Sequence, residues 1–360
     1  MRRLAKPFRC HLAPGLLGAF LLASAALLPS CERKTGDSAP PAAATGTETA
    51  AQPSPAPPPA DPQPALAPPA AAPDAPDPGS IATPSKAGLR FVSFNIENWL
   101  TMDRYINDEK VPGKPKPDSE KDAVVSIVVS ARPDVLGVCE IGSPADLADL
   151  QDRLAAAGLP LPHLHYGNGG TDPTRHLALL SRFPIVARGT PAKSDYQLAG
   201  RTFGIQRGIL DSTIDTGTRR FRILGVHFKS KRPSKEADQE QMRRHEAELL
   251  REHIESIFAA DPHARLIVHG DFNDTKATRA VRAVQGAFNS PEFLTPLPLK
   301  DSRGHAWTQH WGYQDIYSRF DFIMLSRALL PEADRKASRV LDPTCWAEAS
   351  DHRALLVVFR

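Results

Sequence analysis

Cysteine is nearly missing from this chain, with four residues in 360. Cys10 and Cys31 fall near the start, which leaves only Cys139 and Cys345 for the rest. That usage excludes a disulfide scaffold, and no cysteine–histidine cluster has the spacing of structural zinc. Cys139, inside the apolar string DVLGVCEI, reads as a buried thiol. An excess of one charge is also missing. Lys and Arg total 44 against 41 Asp and Glu, a formal net charge of +3, too small by itself to argue for a polyanionic partner. There is no glycine-rich nucleotide loop, no G-x-S-x-G elbow and no internal repeat, so P-loop and serine-hydrolase chemistries drop out.

One long apolar run is present, from Leu12 to Leu28, behind the cations Arg2, Arg3, Lys6 and Arg9. That order is the order of a secretory signal, with a single transmembrane anchor as the alternative. The run ends in Leu28-Pro29-Ser30-Cys31. It resembles a bacterial lipoprotein processing box with Cys31 as the lipidated residue, although Pro29 is an unusual member. Glu32, in place of an aspartate after the cysteine, resembles outer-membrane sorting. Acyl chains would attach the protein to a membrane without a spanning helix. Between residues 40 and 84, fifteen of 45 positions are proline and most others are Ala, Ser, Thr or Asp. Such a stretch has few backbone donors and little apolar surface to bury, so it reads as a stiff, extended tether. The expected organisation is a signal with a lipoprotein box over 1–31, a disordered Pro/Ala-rich tether over 32–88, and one folded body over 89–360. The protein is expected to be exported, as an outer-membrane-anchored lipoprotein or a periplasmic or extracellular form.

The body mixes strand and helix patterns without a regular βαβ repeat. Strand patterns cover LRFVSFNI, PDVLGVCEI, HLALLSRFPI, RGILDSTI, RRFRILGVHF, RLIVHGDF, RFDFIMLS and HRALLVVFR, with RGILDSTI and RRFRILGVHF as neighbours. Helix patterns cover Ser119–Ala131, DLADLQDRLAAAGL with Gly158 as its stop, and the long EADQEQMRRHEAELLREHIESIFAA. Many strands and few helices predict an α/β body of two packed sheets flanked by helices.

Several strands end in groups that bind metal or move protons, where neutral turn residues are the norm. These are Asn95 and Glu97 in FNIEN, Glu140 in GVCEI, His227 in GVHFKS, Asp271, Asn273 and Asp274 in GDFND, Asp321 in RFDFIML, and Asp351 and His352 in SDHRAL. A carboxylate in an apolar strand needs a partner, either a cation or a buried arginine. On a strand Asp351 and His352 would point to opposite sides, so Asp321 is the better group to orient His352. Oxygen ligands without thiols favour magnesium, manganese or calcium, and such an ion beside histidines and an amide suits attack of water on phosphorus.

In their order, SFNIEN, GVCEI, QRGIL, GVHFKS, HGDFND, SRFDFIML and SDHRAL resemble the endonuclease/exonuclease/phosphatase superfamily, with a flavour of exported bacterial nucleases. The resemblance covers Leu89 to Arg360. It implies a four-layer α/β sandwich of two mixed sheets, with metal held by Asn95, Glu140 and Asp351 and substrate phosphate clamped by Arg207. It further implies that His227 steadies or protonates a phosphate oxygen and that Asp271 and Asn273 orient water. His352 and Asp321 would form a dyad, and either this dyad or Asp271 would serve as the base. Glu97 falls outside that set. The expected activity is metal-dependent phosphodiester hydrolysis with Mg2+, or alternatively Mn2+ or Ca2+.

Nucleic acid is the first substrate expected, because Thr218 to Lys235 holds seven Lys/Arg and no acid. The alternatives are a lipid or small-molecule phosphoesterase, sphingomyelinase-like or phosphatase-like, and a catalytically inactive surface module. A lipid-cleaving member would carry an exposed aromatic hairpin. WTQHWGYQDIY, just before Asp321, is read here as a wall of the substrate cleft.

Overall fold

The structure is a computed structural model that describes residues 88–106 and 109–360. The expected signal, Cys31 and nearly all of the tether lie outside these residues. The first elements are β1 (Arg90–Trp99), the hairpin β2–β3 (Met102–Ile106, Glu109–Lys114), α1 (Asp118–Ala131), β4 (Val135–Ile141) and α2 (Pro144–Ala156). Strands β5 (His163–Gly167), β6 (His176–Ser181) and β7 (Ile185–Gly189) lead to a second hairpin, β8–β9 (Asp195–Leu198, Arg201–Gly204). Next come β10 (Ile209–Asp215), β11 (Arg220–His227), α3 (Gln239–Ala260), β12 (Leu266–Asp271), α4 (Arg279–Gln285) and β13 (Thr295–Pro296). A third hairpin, β14–β15 (Gln309–Trp311, Ile316–Ser318), precedes β16 (Asp321–Leu325), β17 (Arg339–Val340), α5 (Trp346–Ala349) and β18 (Leu355–Val358).

Local chemistry sets the helix ends. Ser143 and Asp146 form a reciprocal capping box at the start of α2, Pro144 fills its first turn, and Gly158 follows it at φ 81°. Asp238 caps α3 by accepting the Gln241 N–H at 2.8 Å. The helix patterns read from sequence thus become α1, α2 and α3, with shifts of a few residues at their ends.

Two six-stranded mixed sheets form the centre, ordered β17-β18-β1-β4-β6-β5 and β13-β16-β12-β11-β10-β7. Within them β1–β4 and β11–β12 are parallel, and β10–β11 is the expected antiparallel pair. Strand alternation assigns each residue to a layer. Val92, Phe94, Ile96, Leu136 and Val138 face outward onto Val124, Ile127 and Val128 of α1 and Leu147, Leu150 and Leu154 of α2. Phe91, Val135 and Cys139 face inward, against Leu210, Phe221, Ile223, Ile267 and Ile323 of the other sheet. That sheet's outer face, with Leu224, Val226, Val268 and Phe322, packs on Leu250, Ile254, Ile257, Val281 and Val284 of α3 and α4. The result is the expected α/β sandwich of four layers.

Cys139 and Cys345 are both free thiols, and Cys139 is buried in the inner layer. The aromatic segment is an antiparallel hairpin, β14–β15, with Trp311, Tyr313, Ile316 and Tyr317 exposed. One expectation changes. The basic stretch 218–235 is not one patch. Arg219 pairs with Glu332, Arg220 with Asp215 and Arg222 with Asp211, at the end of β11 away from His227.

Candidate active site

The inner rows of the two sheets run outward into the site. On β1 the row is Phe91, Ser93, Asn95; on β11 it is Phe221, Ile223, Gly225, His227; on β12 it is Ile267, His269, Asp271. Register then aligns them, because Asp271 pairs with His227 on one side and with Asp321 of β16 on the other. Three polar groups therefore lie side by side on adjacent strands. Glu140 follows the inward-facing Cys139, so alternation alone would turn it toward α1 and α2. A register shift between Cys139 and Ile141, with Glu140 at φ 66°, redirects it into the site. Glu97 and Asn98 are also left-handed, at φ 44° and 54°, beside a second register shift in β1.

Asp271 is the hub. Its Oδ1 accepts the Asn273 N–H at 2.8 Å, and its Oδ2 accepts Asn95 Nδ2 at 3.1 Å and Asn273 Nδ2 at 3.3 Å. His227 Nε2 lies 3.5 Å and His352 Nε2 3.7 Å from the same oxygen. Asn95 Nδ2 also donates to Glu140 Oε1 at 3.3 Å. His352 Nδ1 and Asp321 Oδ2 are 2.7 Å apart, which forms the expected dyad in a buried setting. Ser350 Oγ donates to Asn95 O at 2.8 Å and accepts the His352 N–H at 3.0 Å, tying the dyad's segment to β1.

Electrostatics follow from burial and crowding. Burial raises Asp271 to about 7, helped by Asp321 and Glu140 and opposed by His352. Burial alone would lower His352, but Asp321, Asp351 and Asp271 outweigh it and raise its pKa well above that of free histidine. Burial, with Arg207, His352 and Arg175 nearby, keeps His227 well below the usual histidine range.

Asp351 departs from its expected geometry. Strand β18 starts only at Leu355, and residues 350–354 are irregular, so strand alternation does not separate Asp351 from His352. Asp351 Oδ1 lies 3.9 Å from His352 Nε2. Arg207 sits just before β10, buried, with Nη2 at 3.2 Å from Asp172 and Nη1 on Gln206 Oε1 at 2.7 Å. Its Nε and the His227 Nδ1 are buried without a protein partner. Asp274 does not join the site, because it is buried against Arg243 and Lys231 at 3.0 and 2.9 Å.

Glu97, expected outside the core set, supports the site, and Lys116 and Arg175 escaped the sequence reading. Glu97 Oε2 accepts the Asp351 N–H at 3.0 Å, and the buried Lys116 donates to Glu97 O at 2.9 Å. Arg175 Nε lies 3.8 Å from Glu140 Oε2 and donates to Asn98 Oδ1 at 2.9 Å. Only the position of Arg175 at the head of a strand pattern gave any hint, and nothing in PGKPKPD marks Lys116.

The sequence matches the Endonuclease/Exonuclease/phosphatase family over residues 111–352. The chain belongs to this family. Similar structures include truncated Caenorhabditis elegans TDP2, at 19% identity and TM-score 0.52 over 76% of this chain and 98% of that one. The human Nocturnin catalytic domain with bound sulfate has 18% identity and TM-score 0.53, over 76% and 94%. Sphingomyelinase C from Streptomyces griseocarneus has 13% identity and TM-score 0.52, over 76% and 99%. At these identities the likeness is one of fold, and it spans eukaryotic and bacterial members without singling out exported nucleases. No curated protein sequence matches the chain.

The site fits a divalent cation. Asp271, Asp321 and His352 each bring a ligand atom to within 4.8 Å of the others. Glu140 and Asp271 converge on the Asn95 amide N–H and on His227 Nε2, at 3.9 and 3.5 Å, an imidazole that burial keeps well below the usual histidine range. Buried carboxylates short of countercharge favour a cation. Family membership and this acidic–histidine cluster together make the chain a metal-dependent phosphoesterase.

Proposed function

We propose that the domain hydrolyses phosphodiesters of nucleic acid with magnesium, with manganese or calcium as substitutes. The observation that carries the hydrolytic reading is the convergence of two imidazoles, two amides and a second carboxylate on Asp271. We assign the cation to Asn95, Glu140 and Asp351, because Asp321 already spends an oxygen on His352. When bound, the cation polarises the phosphate and offsets its developing charge. Asp271, oriented by Asn273 and Asn95, positions the attacking water and takes its proton. His352, held at Nδ1 by Asp321, turns Nε2 to a non-bridging phosphate oxygen. Arg207 clamps the phosphate, and His227 steadies a second oxygen.

Nucleic acid as substrate is supported by the exposed Arg232 and Lys235, which follow His227 beyond the site end of β11. A second reading, a lipid phosphodiester, is favoured by the exposed aromatic tip of β14–β15. The base of that hairpin meets the site, with His310 N–H donating to Asp351 O at 2.9 Å and Gln309 Nε2 to Asp351 Oδ2 at 3.3 Å. The deciding experiment incubates the protein with plasmid DNA, RNA and sphingomyelin vesicles, each with Mg2+ and with chelator. Metal-dependent cleavage of DNA or RNA supports the first reading, cleavage of sphingomyelin alone replaces it with the second, and no turnover on any substrate overturns both.

We also propose that the body is exported and held by acyl chains on Cys31 at the end of the Pro/Ala-rich tether. Among the described residues no helix is long and apolar enough to cross a membrane. Metabolic labelling with a radioactive fatty acid in a bacterial host tests the anchor. The label is expected on the wild type and not on Cys31→Ser, and equal labelling of both contradicts it.

A further inference from the structure

Glu246, in the middle of α3, is a fully buried carboxylate, and no salt bridge is formed to it among the described residues. Each of its oxygens instead accepts one backbone amide. Oε1 takes the Gln206 N–H at 2.9 Å, and Oε2 takes the Lys229 N–H at 2.6 Å. These amides belong to separate segments. Gln206 is the residue before Arg207, and Lys229 lies two residues beyond His227 at the end of β11. One side chain therefore joins the arginine's segment to the histidine's strand.

The arrangement is costly unless it serves position. A buried carboxylate loses its hydration, and two charge-assisted bonds return part of that loss. The tie acts where geometry matters most. Arg207 has no strand of its own, since β10 begins only at Ile209. Its segment is pressed against the glycine-rich turn before β6, where a Cβ at Gly170 would lie 2.3 Å from Gln206 O. Asp172 and the Gln206 side chain fix the guanidinium itself. Glu246 adds a direct tie between the backbone beneath it and the segment after His227, beside the β10–β11 ladder that begins with Ile209 opposite Val226.

We propose that Glu246 is a positioning residue that sets the distance between Arg207 and His227, and so the fit of the substrate phosphate. This rests on the assignment of Arg207 to that phosphate. The test is a double-mutant cycle on the full chain with Mg2+ and a bis-aryl phosphodiester, using Glu246→Gln, Glu246→Asp and Arg207→Ala. Gln replaces one acceptor by a donor, and Asp is one methylene too short to span both amides. Each is expected to lower kcat/KM by about 10- to 100-fold, the worth of a charge-assisted hydrogen bond. In the Arg207→Ala background the same changes should have less than about a threefold effect, because coupled groups are not additive. Equal losses in both backgrounds, or wild-type kcat/KM in both Glu246 variants, overturn the proposal. Wild-type activity in Arg207→Ala alone overturns instead the phosphate assignment on which it rests. Should both Glu246 variants fail to fold, amide hydrogen exchange on the wild type decides. The Gln206 and Lys229 amides are expected to be protected together, and rapid exchange of either contradicts the tie.

Discussion

Asp321 is a carboxylate in the strand sequence DFIML, whose five residues are all buried, and it is tolerated there because His352 Nδ1 lies 2.7 Å away. The pair fixes the imidazole ring and leaves its Nε2 aimed at Asp271. His352→Ala is expected to reduce kcat by about 100- to 1,000-fold, the range for loss of a donor that stabilises developing charge. Because the ring fills no hydrophobic cluster, the far-UV spectrum should remain that of the wild type. Asp321→Asn keeps the volume and removes the charge that holds His352 protonated, so kcat should fall with little change in KM, measured by steady-state kinetics. A rise in KM with normal kcat would instead place Asp321 in substrate binding.

Among the elements, the strand ends carry the site and the strand interiors make room for it. His269 lies one layer beneath Asp271, its Nδ1 at 2.9 Å from Ser93 Oγ, in the space left by Gly137 of β4. A Cβ at Gly137 would stand 2.2 Å from the imidazole Cε1. Gly137→Ala is therefore expected to destabilise the fold by about 1 to 3 kcal/mol through overpacking, measured by urea unfolding. The aromatic hairpin yields a kinetic prediction. Trp311→Ala with Tyr313→Ala should raise KM for a polymeric or vesicle substrate and leave turnover of a small bis-aryl diester unchanged. What the sequence made legible at this scale follows period. Asn95, His227, Asp271 and Asp321 stood out because each is a polar residue on the inward side of an apolar strand. The position of Glu140 rests on a bulge and a positive φ, and that of Asp351 on an irregular segment, and neither has a periodic signature. The neutralised arginines of β11 were misleading for a related reason. A one-dimensional charge run does not show that Asp211, Asp215 and Glu332 would arrive beside it.

For the whole molecule, the four-layer order was readable because many strands and few helices admit few packings, whereas the three small hairpins and α4 carried patterns too short to recognise. The same layering makes stability depend on pH. Burial lowers His269 to about 3, and burial with Arg188 lowers His165 to about 4 against the opposing Asp211. Both are therefore neutral in the native state, while the unfolded chain takes up a proton on each below about pH 6.5. Their contribution is complete above that value and is lost as pH falls toward 4 and then 3. Asp271 and Glu97, both raised to about 7, act in the opposite sense over this range, so the test is a difference: between pH 7.5 and pH 5 the urea midpoint of a His165→Gln variant should fall less, or rise more, than that of the wild type. At this scale too, the body's chemistry should be independent of its N-terminal segment. A variant beginning at residue 85 should keep the full chain's kcat on a small diester. The central claim, that Asp271 and the His352–Asp321 pair serve a cation-dependent phosphodiester hydrolysis, meets its most direct test in one titration. Initial rates on a bis-aryl phosphodiester are measured against Mg2+ concentration for the wild type and Glu140→Gln after chelator treatment. The account predicts no turnover without metal, saturable activation of the wild type, and a requirement for at least about tenfold more Mg2+ in the variant. Metal-independent turnover, or identical activation curves for the two proteins, would contradict it.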